Sequence, residues 1–166
     1  MWVLVLALLT GTTADANRAT PPKAARHFDH DARQARLFDS MMSRADPIAL
    51  GVVLSKVAGG LPPKSLAAFV DNARSYPREE YAPALRRYAR YRKATIRARA
   101  LVALASIDRD FGGEAALLAM DDPTTEIRVL GVEMALAYTA PHVEEALMRL
   151  LARDEAVAKI VRKSRR

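Results

Sequence analysis

The stretch from Arg74 to Arg99 concentrates the side chains of this sequence that could take part in binding chemistry. It holds nine cations against two anions, and four of the five tyrosines of the chain are interleaved with them. Such a local excess of positive charge attracts an acidic protein, an anionic lipid surface or a nucleic-acid backbone. A solvated helix face in an arginine-rich chain has the same pattern, so binding and simple solvation both remain open at this point.

A continuous helix over residues 77–92 would divide this stretch into two faces. The apolar face, which we expect to be buried, carries Tyr81, Leu85 and Tyr88. Arg86, Arg90 and Lys93 follow one another at i, i+4 and i+7 and so share a different face. We predict that a partner contacts this second face, and the candidate partner-binding residues are Arg86, Arg87, Arg90 and Lys93.

Other reactive groupings are sparse. His27, His30 and Asp31 stand at i, i+3 and i+4, but a metal site also needs further ligands and outer-shell support. His142 has acids nearby and no nucleophile, and the G-x-S-x-G, H-E-x-x-H and G-x-x-x-x-G-K-[ST] patterns are absent. The chain has no cysteine, which excludes disulfides and thiolate chemistry. The sequence therefore predicts no catalytic residues, no metal, no cofactor and no enzymatic activity.

The composition is that of a globular protein of modest size. The chain has 166 residues, of which 51% are hydrophobic and 27% charged, and its formal net charge is +7. About 150 residues suffice for one domain with a sizeable core, so two full-sized domains are not expected.

The first segment has the pattern of an export signal. Residues 2–9 form an unbroken apolar run, far shorter than the roughly 20 residues of a membrane-spanning helix. Ala14-Asp15-Ala16 then resembles a signal-peptidase site. We predict a signal peptide over 1–16, a linker over 17–24 and a helical repeat domain over 25–166, with a periplasmic or secreted location and no transmembrane span. An N-terminal core helix and a misplaced start codon are the alternatives.

Helical periods dominate from Ala25 onward, with almost no strand pattern. Phe28, Phe38 and Met42 belong to one apolar stripe, and Asp46-Pro47 and Gly59-Gly60 bracket the next helix. Ser65 is a plausible N-cap for the third. Phe111-Gly112-Gly113 is expected to break the chain. The remaining predicted helices are residues 77–92, 93–107, 114–120, 123–138, 141–151 and 155–162.

The later helices repeat at a fixed interval. Leu117-Leu118-Ala119-x-Asp121-Asp122 recurs 33 residues later as Leu150-Leu151-Ala152-x-Asp154-Glu155, and Ile96-Arg97 matches Ile127-Arg128 at an offset of 31. Self-similarity at such a period is typical of stacked antiparallel helical hairpins. The small residue Gly131 is expected where neighbouring helices come close, with Gly131→Ala tolerated or slightly favourable for the helix.

Asp122-Pro-Thr-Thr-Glu-Ile-Arg128 resembles the turn and second helix of a HEAT repeat, most clearly over residues 86–161. The resemblance implies an all-α, HEAT-like α-solenoid. It also implies that Asp122, Arg97 and Arg128 bridge adjacent repeats by charge-assisted hydrogen bonds. Asp122 before Pro123 has, in addition, the sequence of a helix N-cap.

Together these features predict a non-catalytic helical-repeat scaffold or adaptor that binds another protein, of acidic character, in the cell envelope or outside the cell. The alternative is a basic helical-repeat protein that binds nucleic acid. That alternative requires a chain that is not exported.

Overall fold

The computed structural model describes residues 30–44, 46–138 and 140–164, and within them the chain is all-helical, without a strand. The predicted signal peptide, the linker, His27 and Phe28 lie outside this part. The helices are α1 (His30–Ser43), α2 (Pro47–Ala58), α3 (Pro63–Ser75), α4 (Ala82–Tyr88), α5 (Ala94–Ala105), α6 (Arg109–Met120), α7 (Thr125–Ala137), α8 (Pro141–Arg153) and α9 (Glu155–Ser164), with a 3₁₀ turn at Glu79–Tyr81.

Helix α2 begins and ends as its sequence predicts. The carboxylate of Asp46 accepts a hydrogen bond from the backbone N–H of Ala49 at 2.7 Å, and Pro47 occupies the first turn. The helix ends at Gly59, and Gly60 has a φ of +90°, a conformation that glycine adopts without strain. Both predicted boundaries are confirmed.

Helix α3 receives its N-terminal cap from another helix. Ser65 is not the N-cap, because Pro62 holds that position and Ser65 is buried in the first turn. The carboxylate of Asp31, in α1, accepts hydrogen bonds from the backbone N–H groups of Lys64 and Ser65 at 3.0 and 2.7 Å, and from the Ser65 hydroxyl. Asp31 therefore satisfies backbone donors that a helix leaves without a partner.

The predicted helix over 77–92 is wrong in its extent. Pro83 has no N–H to donate, so regular helix begins only at Ala82, after a 3₁₀ turn. Helix α4 then ends at Tyr88. The backbone N–H groups of Arg90 and Tyr91 donate to the backbone oxygens three residues earlier, those of Arg87 (3.2 Å) and Tyr88 (3.0 Å), as in a 3₁₀ turn. Residues 89–93 form a non-helical connection to α5.

The break expected at Phe111-Gly112-Gly113 is also wrong. Helix α6 runs through all three residues after Asp108, whose carboxylate accepts the Phe111 N–H at 3.0 Å. Gly112 is buried, and a Cβ there would lie 2.5 Å from the ring of Tyr138. Gly112 thus permits close packing, and neither glycine interrupts the helix.

The helices pack mainly on near neighbours in the chain. Helix α3 lies against α1 and α5, α5 against α4 and α6, α6 against α7 and α8, and α9 against α7 and α8. Phe69 contacts Phe38, Tyr81 and Tyr88 edge to face, with ring centroids 5.6–6.3 Å apart. Tyr81, Leu85 and Tyr88 are buried, as the helical spacing predicts.

Candidate binding surface

A buried ion pair joins the start of α5 to the connection between α6 and α7. Nε and one terminal nitrogen of Arg97 donate to the two carboxylate oxygens of Asp122 at 2.7 and 2.9 Å. The guanidinium also donates to the Thr124 hydroxyl at 2.8 Å and to the backbone oxygens of Tyr91 and Arg92 at 3.0 and 3.2 Å. One side chain thus holds two inter-helix connections together.

The same construction occurs in the next pair of helices. Nε of Arg128, in α7, donates to the Asp154 carboxylate at 2.7 Å, and another nitrogen donates to the backbone oxygens of Asp122 and Pro123, each at 2.9 Å. Arg97, Arg128 and Asp122 therefore form the bridging contacts that the resemblance implies. Asp122 does not cap α7, however; its carboxylate accepts the N–H of Thr124, which is the N-cap residue.

The charges of both pairs are stabilised by their contacts. Burial acts to raise the pKa of Asp122, but the hydrogen bonds from Arg97 and Thr124 outweigh it, so the pKa lies below its ordinary value. The pKa of Asp154 is also lowered, and the largest cause is the hydrogen bond from the backbone N–H of Val157. Burial acts in the opposite direction, and the hydrogen bond from Arg128 lowers the pKa further. The hydrogen bond to Asp122 raises the pKa of Arg97 above its ordinary value. Near neutral pH these groups are charged.

Each ion pair lines a groove between consecutive connections. The first groove, of about 410 Å³, lies between residues 89–92 and 121–123, with Arg97, Asp122 and Leu118 among its lining residues. The second groove, of about 440 Å³, lies between residues 121–122 and 153–155 and contains Arg128. Asp121 and Asp122 line both grooves, so the connection that carries them is a wall that the two grooves share. We refer to residues 89–93, 121–124 and 153–155 as the turn edge.

Two of the four predicted partner-binding residues hold helices together. Arg86 forms a bidentate ion pair with Glu114 of α6 at 2.6 and 2.7 Å, and its guanidinium lies 5.3 Å from the centre of the Phe111 ring. Arg87 donates to the backbone oxygen of Val57, at the end of α2, at 2.6 Å and to the Tyr88 hydroxyl at 2.9 Å. Both remain exposed, but each already has a structural partner.

The other two, Arg90 and Lys93, lie in the connection after α4 and not on the helix face that carries Arg86. Arg92 lies between them, and all three side chains are exposed. Within the part of the chain that the structure describes, none of the three forms a side-chain hydrogen bond or ion pair. Arg90 and Arg92 line the first groove.

Arg92 belongs to the basic stretch but not to the predicted binding residues, because i, i+4, i+7 spacing selects residues only on a continuous helix, and α4 ends at Tyr88. Asp121, on the opposite wall of the first groove, has no predicted binding role either. Two features of the sequence indicate that residues 90–93 form a connection and not a helix. Pro83 shortens the preceding helix, and the offset of 31 residues aligns 90–93 with 121–124, the segment around Asp122-Pro123.

The described residues include no group of three or more His, Cys, Asp or Glu side chains placed to hold a metal ion. None of the helices within the described ranges has the length and apolarity required to cross a membrane. Asp31, which sequence spacing placed beside two histidines, instead caps α3.

Comparison with known proteins adds no further constraint. The chain matches no family model, no curated protein and no solved structure. The geometry of the turn edge is therefore the basis for a functional proposal.

Proposed function

We propose that this protein is a non-catalytic helical-repeat scaffold or adaptor that binds an acidic protein at its turn edge. The observation that carries the proposal is the set of three exposed cations, Arg90, Arg92 and Lys93, that have no ionic partner among the described residues, two of which, Arg90 and Arg92, line the first groove. Charged side chains that have no ionic partner within the fold attract an oppositely charged protein and accelerate its association.

The architecture that we propose is a HEAT-like α-solenoid of stacked antiparallel hairpins. Three consecutive helix pairs, α4–α5, α6–α7 and α8–α9, support it, because each packs on the next. The recurring arginine–aspartate pairs, Arg97–Asp122 and Arg128–Asp154, support the same register. Solenoids of this type commonly present extended surfaces for protein binding.

Within the proposed interface the cations have different tasks. Arg90, Arg92 and Lys93 contact the partner directly. Arg86 and Arg87 flank them, remain exposed and hold α4 against α6 and α2. Arg87 adds positive potential, because its partners are neutral, whereas Glu114 compensates the charge of Arg86. We propose that the interaction takes place in the cell envelope or outside the cell, after removal of residues 1–16.

The direct test is charge reversal with a matched control. The variant Arg90→Glu/Arg92→Glu/Lys93→Glu is compared with Arg33→Glu/Arg36→Glu/Arg44→Glu, which reverses three exposed cations of α1 and its following turn. Both variants change the net charge equally. Proteins captured from an envelope fraction are identified, and association rates are then measured with the purified partner at low and physiological salt.

We expect the turn-edge variant to associate at least about tenfold more slowly at low salt, and the control to behave as wild type. The wild-type rate falls as salt rises, because exposed charges are screened. Equal capture and equal kinetics for all three proteins would show that these cations are only solvated.

Localisation decides between the two functional classes. A chain recovered from the envelope or medium with Asn17 as its first residue, measured by intact mass, supports the exported scaffold. A cytoplasmic chain that retains Met1 would favour the nucleic-acid-binding alternative.

A further inference from the structure

We infer that the partner segment carries charges of both signs: an acidic side chain over Arg90 and Arg92, and a basic side chain at Asp121, two or four residues away in an extended peptide. This inference rests on the proposed function, since it describes the ligand of the same surface. It follows from the two walls of the first groove, from its floor and from the separation of the connections that form it.

The two walls of the groove have opposite charge. Arg90 and Arg92 stand on the wall formed by the connection after α4, and both are exposed. Asp121 stands on the other wall, at the end of α6, with 87% of its side chain exposed. Its contact with Arg153 is long, at 3.6 Å, and Arg153 is itself 61% exposed. An exposed pair of this length contributes little, so a cation of a partner competes readily for Asp121.

We call the remaining lining residues of the groove its floor, and their side chains are apolar apart from one ion pair. Ala89, Tyr91, Leu118 and Pro123 line the groove together with the Arg97–Asp122 pair. The charges of that pair compensate each other through two hydrogen bonds, so the floor carries no net charge. A peptide that lies across the groove thus meets cations, an apolar floor and then an anion.

This order of charges disfavours a polyanion. A phosphate backbone that followed the turn edge from Arg90 would next meet Asp121 and, in the second groove, Glu155, both exposed. Nucleic-acid backbones carry negative charge at every step, so repulsion at these acids would offset the attraction of the arginines. A protein segment can alternate its charges and satisfy both walls.

The separation of the walls sets the spacing of the motif. Packed helices lie about 8–10 Å apart, and consecutive connections at one edge of a stack share that separation. An extended chain advances about 3.3 Å per residue. Side chains two or four positions apart, at about this distance, point to the same face of an extended chain, so an acidic residue and a basic residue at such a spacing, in either chain direction, reach opposite walls of the groove.

The experiment is a selection from a randomised library of peptides of about 12 residues on the immobilised full-length chain. We expect the enriched peptides to pair Asp or Glu with Lys or Arg two or four positions away. Each selected peptide is then measured against wild type, Arg90→Glu/Arg92→Glu and Asp121→Lys. The controls are Arg33→Glu/Arg36→Glu and Asp39→Lys, which make the same charge changes on α1.

We expect each turn-edge variant to weaken binding at least about tenfold, because each removes a charge-assisted contact, and the α1 controls to bind as wild type. Asp121→Lys places a cation at a helix C-terminus, which the helix dipole favours, so unfolding would not explain a loss. Rescue of the Asp121→Lys variant by a peptide whose basic residue is changed to Glu would add direct support.

Three results would overturn the inference. Enriched peptides that are purely acidic and bind Asp121→Lys as well as wild type would leave the proposed function standing and refute the two-sign motif. A short DNA duplex that binds wild type, and binds Asp121→Lys more tightly, would assign the surface to nucleic acid. Absence of enrichment, or selected peptides that bind all variants equally, would refute the motif together with the proposed surface.

Discussion

Arg97 and Arg99 lie in the same helix, and their surroundings decide what the ion pair of each contributes. The side chains of Arg97 and Asp122 are 10% and 4% exposed, whereas those of Arg99 and Asp71 are 46% and 55% exposed. Removal of one partner from a buried pair leaves an uncompensated charge, which is costly, while an exposed pair contributes little. Two residues of the same type thus have very different structural importance.

The variant Asp122→Ala should therefore destabilise the protein by roughly 3 kcal/mol, the low end of the range for such a deletion, because the first groove brings water near the pair. Asp71→Ala, which removes the same side chain from the exposed pair, should cost less than about 1 kcal/mol. Urea unfolding followed by circular dichroism measures both free energies. Equal losses would contradict the burial-based ranking.

At the scale of elements, α6 and α7 come close because Gly131 has no side chain. A Cβ on Gly131 would lie 2.7 Å from the backbone nitrogen of Met120 and 2.9 Å from the carbonyl carbon of Ala119. The prediction of close packing at Gly131 is confirmed, but the expectation that alanine would be tolerated is not supported by this geometry. Backbone atoms cannot rotate aside as a flexible side chain can, so the two helices would have to separate.

We expect Gly131→Ala to lower the free energy of unfolding by about 1–3 kcal/mol, despite the better helix propensity of alanine. Gly51→Ala in the middle of α2 is the matched control, because nothing lies within 4 Å of its added Cβ. That control should gain about 0.5–1 kcal/mol. Thermal melts of the two variants should shift in opposite directions, and a rise for Gly131→Ala would refute the close contact.

At the scale of the whole molecule, burial is uneven along the chain. Helix α5 contributes seven buried residues, among them Leu101 and Leu104, whereas α8 contributes Val143 and Leu150. Helices α7, α8 and α9 also border an apolar groove of about 550 Å³. Segments with few buried residues open at a lower free energy than well-packed segments, so we expect α8 and α9 to open before α5 and α6.

Amide hydrogens of α8 and α9 should therefore exchange with solvent faster than those of α5 and α6. Hydrogen–deuterium exchange read by mass spectrometry at neutral pH compares the peptides that cover these helices. Uniform protection along the described helices would mean that the chain opens as one cooperative unit, contrary to this expectation.

Local signals in the sequence were sufficient for the helical class and for most helix ends. Asp46-Pro47 and Gly59-Gly60 determine α2 through capping and backbone conformation, which depend on a few adjacent residues. Apolar spacing likewise predicts the burial of Tyr81, Leu85 and Tyr88, because one helix face must pack inward. These outcomes can be predicted from residues that lie close together in the sequence.

Tertiary contacts decided the rest. Gly112 lies within a helix and against the ring of Tyr138, the residue after α7, which occupies the space that a side chain at position 112 would need. Asp31 caps α3, and Arg86 is held by Glu114, through partners about 30 residues away that no local pattern identifies. Which cations remain available to bind is determined by which acids the fold brings near them, and that proximity exists only once the helices have packed.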